Sequence, residues 1–198
     1  DDLVTGVQTC ALPISDSVTA PHKSRIIITS TNREVDELNQ AARLKLKEFN
    51  KLTGGEIVET KHKDLEFCQG DRILFNRNSY KIGVTNGSIG TVKSIKKEGD
   101  GHSFIVKTDQ KRLISFHSKD YNDFDHAYAV TVYKSQGDTL DQSYTLIGSQ
   151  ANRESSYVLL SRHRDSTDIF IDRSQFAGDL PSSKTKQSIS QIFQDTLD

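Results

Sequence analysis

The sequence predicts an α/β protein in which a parallel sheet with flanking helices is interrupted by a small antiparallel β-barrel. Two stretches, 25–50 and 126–171, alternate strand-like apolar runs with polar turns and helical patterns, the order found in parallel α/β units. The stretch between them, 54–117, instead holds short β-branched segments and glycine-rich turns at the spacing of roughly eight to twelve residues typical of antiparallel sheets. The change of pattern therefore predicts an insertion into an α/β domain.

Composition narrows the class of protein. Of the 198 residues, 34% are hydrophobic, and 26 lysines and arginines against 27 acidic residues give a net charge of -1. This balance excludes a small, strongly basic nucleic-acid module, so any nucleic-acid contact must come from a local surface. No apolar run approaches the roughly 18 residues of a membrane span, which predicts a protein without membrane contact. Two cysteines, and six histidines without paired spacing, exclude a disulfide scaffold and the common zinc sites and favour a cytoplasmic protein.

The first fifteen residues, DDLVTGVQTCALPIS, differ from the rest of the chain. They contain no Lys, Arg, Glu or aromatic residue, and the chain begins with Asp1 instead of Met. The segment resembles a translated sequencing-library adapter, so we expect residues 1–18 to be an artefact of assembly. The alternative is a disordered native terminus. The first interpretation implies that the chain is a fragment of a longer protein.

The first α/β unit begins at Arg25. The run from Arg25 to Ser30 contains four consecutive β-branched residues, Ile26 to Thr29, which is typical of a buried strand. Thr31 or Asn32 can cap the following helix, with Glu34 as an acidic residue in its first turn. Apolar residues then recur at three- and four-residue steps, which predicts an amphipathic helix that ends near Asn50.

Residues 54–117 are predicted to form the inserted barrel. Asn86-Gly87 is its strongest tight-turn signal, because both residues tolerate positive φ. Its predicted strands include residues 72–75, 90–95, 103–106 and 112–116. Its basic residues allow two interpretations, an independent nucleic-acid module or solvated edge strands on which lysine prevents aggregation. These residues are Lys93, Lys96, Lys97, Lys107, Lys111 and Arg112.

The α/β pattern returns after the insertion. The predicted elements are an apolar run at 127–132, a polar turn at 134–137, a strand at 143–147, a helix at 152–162 and a strand at 168–171. Residues 177–198, with one proline, four serines and two lysines, are predicted to be a linker and tail.

Two short segments carry residues suited to phosphate chemistry. In Thr131–Thr139 a strand ends in a turn of small polar residues, and such turns expose backbone N–H groups that bind oxyanions. In Tyr157–Asp165 an apolar helix face ends in two arginines, Arg162 and Arg164, whose forked donors suit phosphate. Either segment alone is more simply explained as a capped turn or a solvated helix end. Their order, with one strand and one helix between them, favours a shared site.

Four segments in this order resemble superfamily 1 DNA helicases of the RecD-like branch, and most closely the helicase half of conjugative relaxases of the Ti-plasmid transfer type. HAYAVTVYKSQGDTLD and YVLLSRHRD resemble motifs V and VI, and IIITSTNREVDELNQAAR resembles motif IV. GDRILFNRNSYKIGVTNGSIGTV resembles the inserted barrel of Src-homology-3 type. The resemblance implies a second RecA-like domain of the P-loop NTPase type, made of residues 19–53 and 118–176, around a barrel of residues 54–117.

The resemblance also implies roles for individual residues. Arg162 stands at the arginine finger that acts on the γ-phosphate, and Gln136, Gly137 and Arg164 stand among the other nucleotide contacts. Contacts to single-stranded DNA are implied at Thr131, Lys134 and Ser135. Thr29, Ser30 and Thr31 follow the first strand at the same edge of the sheet and are expected to contact phosphates as well.

The chain departs from a complete nucleoside triphosphatase. It contains no G-x-x-x-x-G-K-[ST] sequence to cradle phosphates, and we expect no metal site in it. The resemblance implies that ATP and Mg²⁺ bind in the complete parent, against an N-terminal RecA-like domain, and that neither binds tightly to this chain alone. Tyr133 occupies a position that is more usually histidine in the motif, which leaves its role open.

Two functions remain. The first is the C-terminal part of an ATP-dependent DNA helicase of conjugative DNA transfer, which supplies the arginine finger and contacts to single-stranded DNA. The second is a non-catalytic module with a RecA-like fold that binds DNA or a protein partner. An upstream phosphate-binding loop would favour the first.

Overall fold

The computed structural model describes residues 24–134, 140–147 and 163–171, which contain one helix and eleven strands. The helix, α1, spans Asn32–Glu48 and follows the first strand, β1. The strands are β1 (Arg25–Thr29), β2 (Thr53–Glu59), β3 (Asp64–Gln69), β4 (Arg72–Phe75), β5 (Ile89–Glu98), β6 (Gly101–Thr108), β7 (Leu113–His117), β8 (Phe124–His126), β9 (Ala129–Thr131), β10 (Leu140–Ile147) and β11 (His163–Ile171). The predicted artefact at 1–18 and the predicted tail at 177–198 lie outside the described residues.

A four-stranded parallel sheet confirms the predicted α/β fold. Its strand order is β11-β10-β1-β9, and each neighbouring pair is parallel. One face of β1 packs through Ile27 on Leu38 and Ala42 of α1. Its other face packs through Ile26 and Ile28 on an antiparallel sheet. Because β1 is buried on both faces, its sequence is a continuous run of isoleucines and not an alternating pattern.

Helix α1 begins where the sequence predicts. Thr31 is the N-cap, and it forms a capping box with Glu34, in which each side chain hydrogen-bonds the other residue's backbone N–H. The helix ends at Glu48, two residues before Asn50, which has a φ of 54° and so turns the chain out of the helix. No helix within the described residues is long and apolar enough to cross a membrane.

The inserted region consists of a five-stranded antiparallel sheet and a two-stranded hairpin. The sheet has the order β7-β6-β5-β4-β8, and the hairpin pairs β2 with β3. Val58 and Phe67 of the hairpin share one buried core with Ile73, Phe75 and Phe104 of the sheet. Strand β8 joins this sheet from Phe124–His126, so the antiparallel unit extends past the predicted boundary at residue 117. At the predicted tight turn only Gly87 has positive φ, at 91°.

The position of Arg164 corrects one prediction. The sequence places it at the end of a helix, whereas the structure places it in β11, which begins at His163. The last strand was predicted only from Asp168, because the preceding residues are polar. Their backbone nevertheless continues the parallel ladder with β10, and the Ser143 hydroxyl lies 2.8 Å from that of Thr167 across the two strands. The predicted helix at 152–162 lies outside the described residues.

Candidate functional site at the carboxyl edge of the parallel sheet

The structure brings two of the predicted contact segments together. Strands β1 and β9 are parallel neighbours, and their last residues, Thr29 and Thr131, are partners in the register. The backbone N–H of Val132 donates to the Thr29 carbonyl at 3.1 Å. Ser30 and Thr31, which follow β1, therefore lie beside the turn that leads from Thr131 to Lys134, at the edge where parallel α/β sheets hold ligands.

The carboxylate of Glu34 already accepts hydrogen bonds from two hydroxyls that were predicted to bind phosphate, those of Thr29 and Thr31. Its Oε2 atom accepts hydrogen bonds from Thr29 Oγ1 at 2.5 Å, Thr31 Oγ1 at 2.9 Å and the Thr31 backbone N–H at 3.1 Å. Thr29 is fully buried. These hydroxyls therefore hold the loop on the helix N-terminus. The T-x-x-E spacing at 31–34 is the signal of this arrangement, although the sequence was interpreted above with Glu34 only as an acidic first-turn residue.

Of the three hydroxyl residues at the end of β1, Ser30 is the one that Glu34 does not engage. Its Oγ atom is shielded from solvent and has no hydrogen-bond partner among the described residues. A buried hydroxyl without a partner costs free energy, of the order of 1–3 kcal/mol. A phosphate oxygen at the end of β1 would satisfy it.

Lys134 is held at the same edge by a carboxylate that sequence reasoning missed. Its backbone N–H donates to the Thr131 carbonyl at 3.0 Å, which closes the turn after β9. Its Nζ atom lies 3.7 Å from Oδ2 of Asp125, and the same oxygen accepts a hydrogen bond from Asn76 Nδ2 at 2.8 Å. The Lys134 side chain is half exposed and so remains accessible to a ligand. No local pattern links these residues, because Asn76 directly follows β4 whereas Asp125 lies in β8.

A cleft of about 560 Å³ opens beside this edge, between α1, the hairpin and strands β8 and β9. Thr131 and Lys134 line it. Its charged lining consists of the carboxylates of Asp36, Asp64, Glu66 and Asp125 and the cationic side chains of Arg43, Lys63 and Lys134. Because carboxylates outnumber these cations, the cleft disfavours a phosphate backbone. The candidate contact surface is therefore the rim formed by Ser30 and Lys134.

His126, at the floor of this cleft, is held neutral. Its Nε2 atom lies 3.0 Å from the Glu66 carbonyl oxygen, and its ring centroid lies 4.5 Å from that of Phe67. Burial lowers the pKa of His126 below its ordinary value. The hydrogen bond to a carbonyl places the proton of the neutral ring on Nε2.

We expect the protein to lose stability in mild acid through this residue. The pKa of His126 is lower in the folded state than in the unfolded state, so the unfolded state binds more protons. The unfolding free energy should fall once the pH drops below about 6.5, the ordinary histidine value, and continue to fall until the folded-state pKa is passed. Urea unfolding between pH 5 and 8 measures this slope.

His126→Gln should make the unfolding free energy less dependent on pH. The glutamine amide can still donate a hydrogen bond to the Glu66 carbonyl but does not titrate. His62→Gln is the matched control, since the His62 side chain is 63% exposed. An unchanged slope in His126→Gln would contradict this assignment.

The remaining predicted site residues are outside the part of the chain that the structure describes. These are Ser135, Gln136, Gly137 and Arg162, and for Arg164 only the backbone position in β11 is described. Within the described residues no group of three or more His, Cys, Asp or Glu side chains is arranged to hold a metal ion.

The relatives found by sequence comparison include two conjugal transfer proteins. No protein-family model matches the chain. The chain is 32% identical over 157 residues to a probable conjugal transfer protein TraA of Sinorhizobium fredii, and 32% identical over 161 residues to TraA of Agrobacterium fabrum. These alignments cover 79% and 78% of the chain but only 14% of each relative. The chain thus spans about one seventh of the curated relatives that it matches.

Solved structures with a similar fold include Pif1 helicases. Pif1 from Bacteroides, in complex with ADP-AlF3 and single-stranded DNA, matches with a TM-score of 0.59 and 20% identity, over 98% of this chain and 50% of that chain. Pif1 from Candida albicans matches with a TM-score of 0.55 and 15% identity, over 89% of this chain and 50% of that chain. The chain therefore has the fold of about half of such a helicase.

Proposed function

The chain is homologous to one segment of the TraA conjugal transfer proteins, and on this premise we propose that it is the second RecA-like half of an ATP-dependent DNA helicase in conjugative DNA transfer. The observation that supports the proposal is that the sequence similarity and the fold similarity agree. The sequence matches conjugal transfer proteins, and the fold matches half of a helicase solved with ADP-AlF3 and single-stranded DNA. In this proposal the protein acts in the cytoplasm on single-stranded DNA.

The proposed nucleotide site is shared between two domains. An N-terminal RecA-like domain of the complete protein supplies the phosphate loop and the Mg²⁺ ligands. This chain supplies the arginine finger, Arg162, with Gln136, Gly137 and Arg164 as further nucleotide contacts. Phosphoryl transfer depends on positioning and on neutralising charge at the β- and γ-phosphates, so neither half acts alone. We therefore expect ATP to bind this chain no better than weakly.

The inserted antiparallel unit is proposed to be a barrel of Src-homology-3 type. Its five-stranded sheet and its hairpin enclose a common aromatic core, in which Phe67 packs against Phe104 and Phe124 at centroid distances of 5.9 and 5.3 Å. Two sheets around one core can close into a small barrel. The buried cluster of Ile26, Ile28 and Leu74 fixes this unit on the parallel sheet.

The proposed DNA surface is the carboxyl edge, with Ser30, Thr131, Lys134 and Ser135 along the backbone path. Thr29 and Thr31 contribute through the loop that they hold on Glu34. Contacts to phosphates carry no base information, so recognition is independent of sequence and sensitive to salt.

Fluorescence anisotropy with single-stranded oligonucleotides tests this surface. We expect the affinity to fall with rising salt and to differ little between homopolymer and mixed sequences. Lys134→Gln should reduce the slope of log K against log salt by roughly 0.7, the value for one phosphate contact on a single strand. Lys45→Gln is the matched control, because Lys45 pairs with Glu48 on the outer side of α1. Binding that is independent of salt, or strongly selective for sequence, would contradict the proposal.

A further inference from the structure

The solvent face of the inserted sheet carries a cluster of lysines that the carboxyl-edge site does not use. Strands β5, β6 and β7 pair in antiparallel register, and their inward residues, including Val92, Phe104 and Phe116, fill the core. Successive side chains of a strand point to opposite faces, so the residues between them face solvent. Lys96 of β5 and Lys107 of β6 lie on this outer face, and Lys93 joins them at the bulge between Val92 and Ser94.

These three lysines have no acidic partners. Lys93, Lys96 and Lys107 are exposed, and none of their side chains makes an ion pair or hydrogen bond with the described residues. The acidic side chains nearest to them along the sheet are already engaged. Asp109 forms a two-point ion pair with Arg72 at 2.6 Å, whereas Glu98 accepts a hydrogen bond from the neutral Ser103 hydroxyl and keeps its negative charge. Three lysines against Glu98 leave this face with a net positive charge on a protein whose net charge is -1.

The position of Lys107 excludes for that residue the protective role considered from the sequence. Lysine prevents aggregation where a strand edge is open. Lys107 pairs with β5 on one side and with β7 on the other, so it protects no strand edge. Strand β4 pairs with β5 only at Ile89–Thr91, so Lys93 and Lys96 lie where β5 is paired with β6 alone, and for them the nucleic-acid interpretation rests on their lack of acidic partners.

The side chains between the lysines suit a nucleic-acid strand. Ile105 and Leu113 are large apolar residues left 41% and 69% exposed on the same face. Ser94 and Ser115 flank Ile105 in the register and add hydroxyl donors. Cations and hydroxyls contact phosphates, while apolar side chains contact sugars and bases, the combination used by surfaces that bind single strands.

The spacing of the rows also fits a chain of phosphates. Thr91 with Lys107, Ser94 with Ile105, and Lys96 with Ser103 are successive outward pairs in the register. Adjacent outward rows are two residues apart, or roughly 6.6 Å along a strand. That step is comparable to the distance between neighbouring phosphates of an extended nucleic-acid strand. The three lysines thus form a diagonal track across β5 and β6.

We propose that this lysine face, defined by Lys93, Lys96, Lys107, Ile105 and Leu113, is a second binding surface for the backbone of single-stranded DNA. It deepens and rests on the proposed function, because the same strand would occupy both the carboxyl edge and this face. The carboxyl edge orients the strand at the parallel sheet, and the lysine face holds a neighbouring segment by charge.

The test compares two triple variants of the chain by fluorescence anisotropy with a 30-nucleotide oligo(dT). The first, Lys93→Gln with Lys96→Gln and Lys107→Gln, should lower the salt slope by roughly 2 and weaken binding at least about tenfold at low salt. The second, Lys45→Gln with Lys81→Gln and Lys119→Gln, makes the same change in net charge. It alters lysines paired with Glu48, Asp120 and Asp100, and should bind like the wild type.

A further variant separates apolar contact from charge. Ile105→Ser with Leu113→Ser should weaken binding several-fold without changing the salt slope, because no charge is removed. Thermal unfolding of each variant checks the fold, and all of these side chains are exposed. Equal weakening in both lysine triples would overturn the proposal, since it would mean that only net charge matters.

The outcomes separate this inference from the proposed function. Wild-type binding in the lysine-face triple, with weakened binding in Lys134→Gln, would overturn the lysine face and leave the carboxyl edge standing. Weakened binding in the triple alone would support the lysine face and overturn the Lys134 contact. Loss of binding to phosphatidylserine vesicles in the triple, with DNA binding unchanged, would assign the face to a membrane surface and overturn the proposal.

Discussion

Arg162→Lys should abolish ATP turnover in a full-length protein that carries this segment, while its affinity for single-stranded DNA stays within about twofold of the wild type. In the proposed site Arg162 reaches the γ-phosphate held by the other RecA-like domain, where negative charge spreads over the transferred phosphoryl group. An arginine finger contributes roughly 10³-fold or more to such rates, because its planar fork meets two oxygens at once. Lysine keeps the charge but loses this geometry. Phosphate release with and without oligo(dT) measures the effect.

Two comparisons make the result specific to Arg162. Arg33→Lys is the matched control, because Arg33 is an exposed arginine paired with Glu37 on α1, and it should leave turnover unchanged. The chain alone should release no phosphate, since it contains no phosphate loop. Wild-type turnover in Arg162→Lys would remove this residue from the mechanism. DNA-stimulated turnover by the chain alone would also refute the shared site, whereas a full-length protein without turnover would favour the non-catalytic binding module.

Local patterns were sufficient to predict the elements that position the site. The isoleucine run of β1 and the Thr31–Glu34 cap of α1 are signals within a few residues, and both are confirmed. The strands of the insertion follow from glycine-bounded apolar segments, and β4 through β7 lie close to their predicted positions. Each of these elements is determined by neighbouring residues, so a single sequence contains the information.

Contacts between distant residues were not predictable in the same way. Strand β11 starts at His163 because its backbone pairs with β10, and not because its own residues form an apolar pattern. Asp125 holds Lys134 from another sheet. The Thr29 and Thr31 hydroxyls are engaged by Glu34, which changes which of the predicted donors a phosphate would meet. Such assignments depend on tertiary register, which a single sequence does not reveal.

An ion pair between residues distant in sequence joins α1 to the inserted unit. Arg43, on α1, places Nε 3.0 Å from Oδ1 of Asp71 and Nη2 3.1 Å from Oδ2, which is a two-point ion pair. The same Nη2 atom lies 3.2 Å from Oε2 of Glu66. The Asp71 side chain is fully buried, and the Arg43 side chain is 11% exposed. Asp71 also accepts hydrogen bonds from the Cys68 backbone N–H at 2.7 Å and the Tyr128 hydroxyl at 2.8 Å.

Because Asp71 is buried and charged, its stability in the folded protein depends on a neighbouring cation. Burial, reinforced by Asp71, raises the pKa of Tyr128 well above its ordinary value, so the phenol keeps its proton and donates to the carboxylate. Neutral donors alone do not offset the cost of a buried charge, which requires a paired counter-ion. Arg43 is the cation that pairs with Asp71 among the described residues. The network thus joins the helix behind the carboxyl edge to the sheet that bears the lysine face.

Arg43→Met should therefore lower the unfolding free energy by about 3–5 kcal/mol, the usual cost of leaving a buried charge without its partner. Methionine keeps most of the volume, so the loss reflects charge and not a cavity. Urea unfolding at pH 7 measures it, and Arg33→Met, which breaks an exposed pair, should leave the unfolding free energy almost unchanged. Adding Asp71→Asn to Arg43→Met should recover part of the loss, because the amide carries no charge, its oxygen can still accept from the Cys68 backbone N–H, and its NH2 group can donate to the Tyr128 oxygen. A double variant that is less stable than Arg43→Met would show that Asp71 is stabilised without Arg43 and would contradict this account.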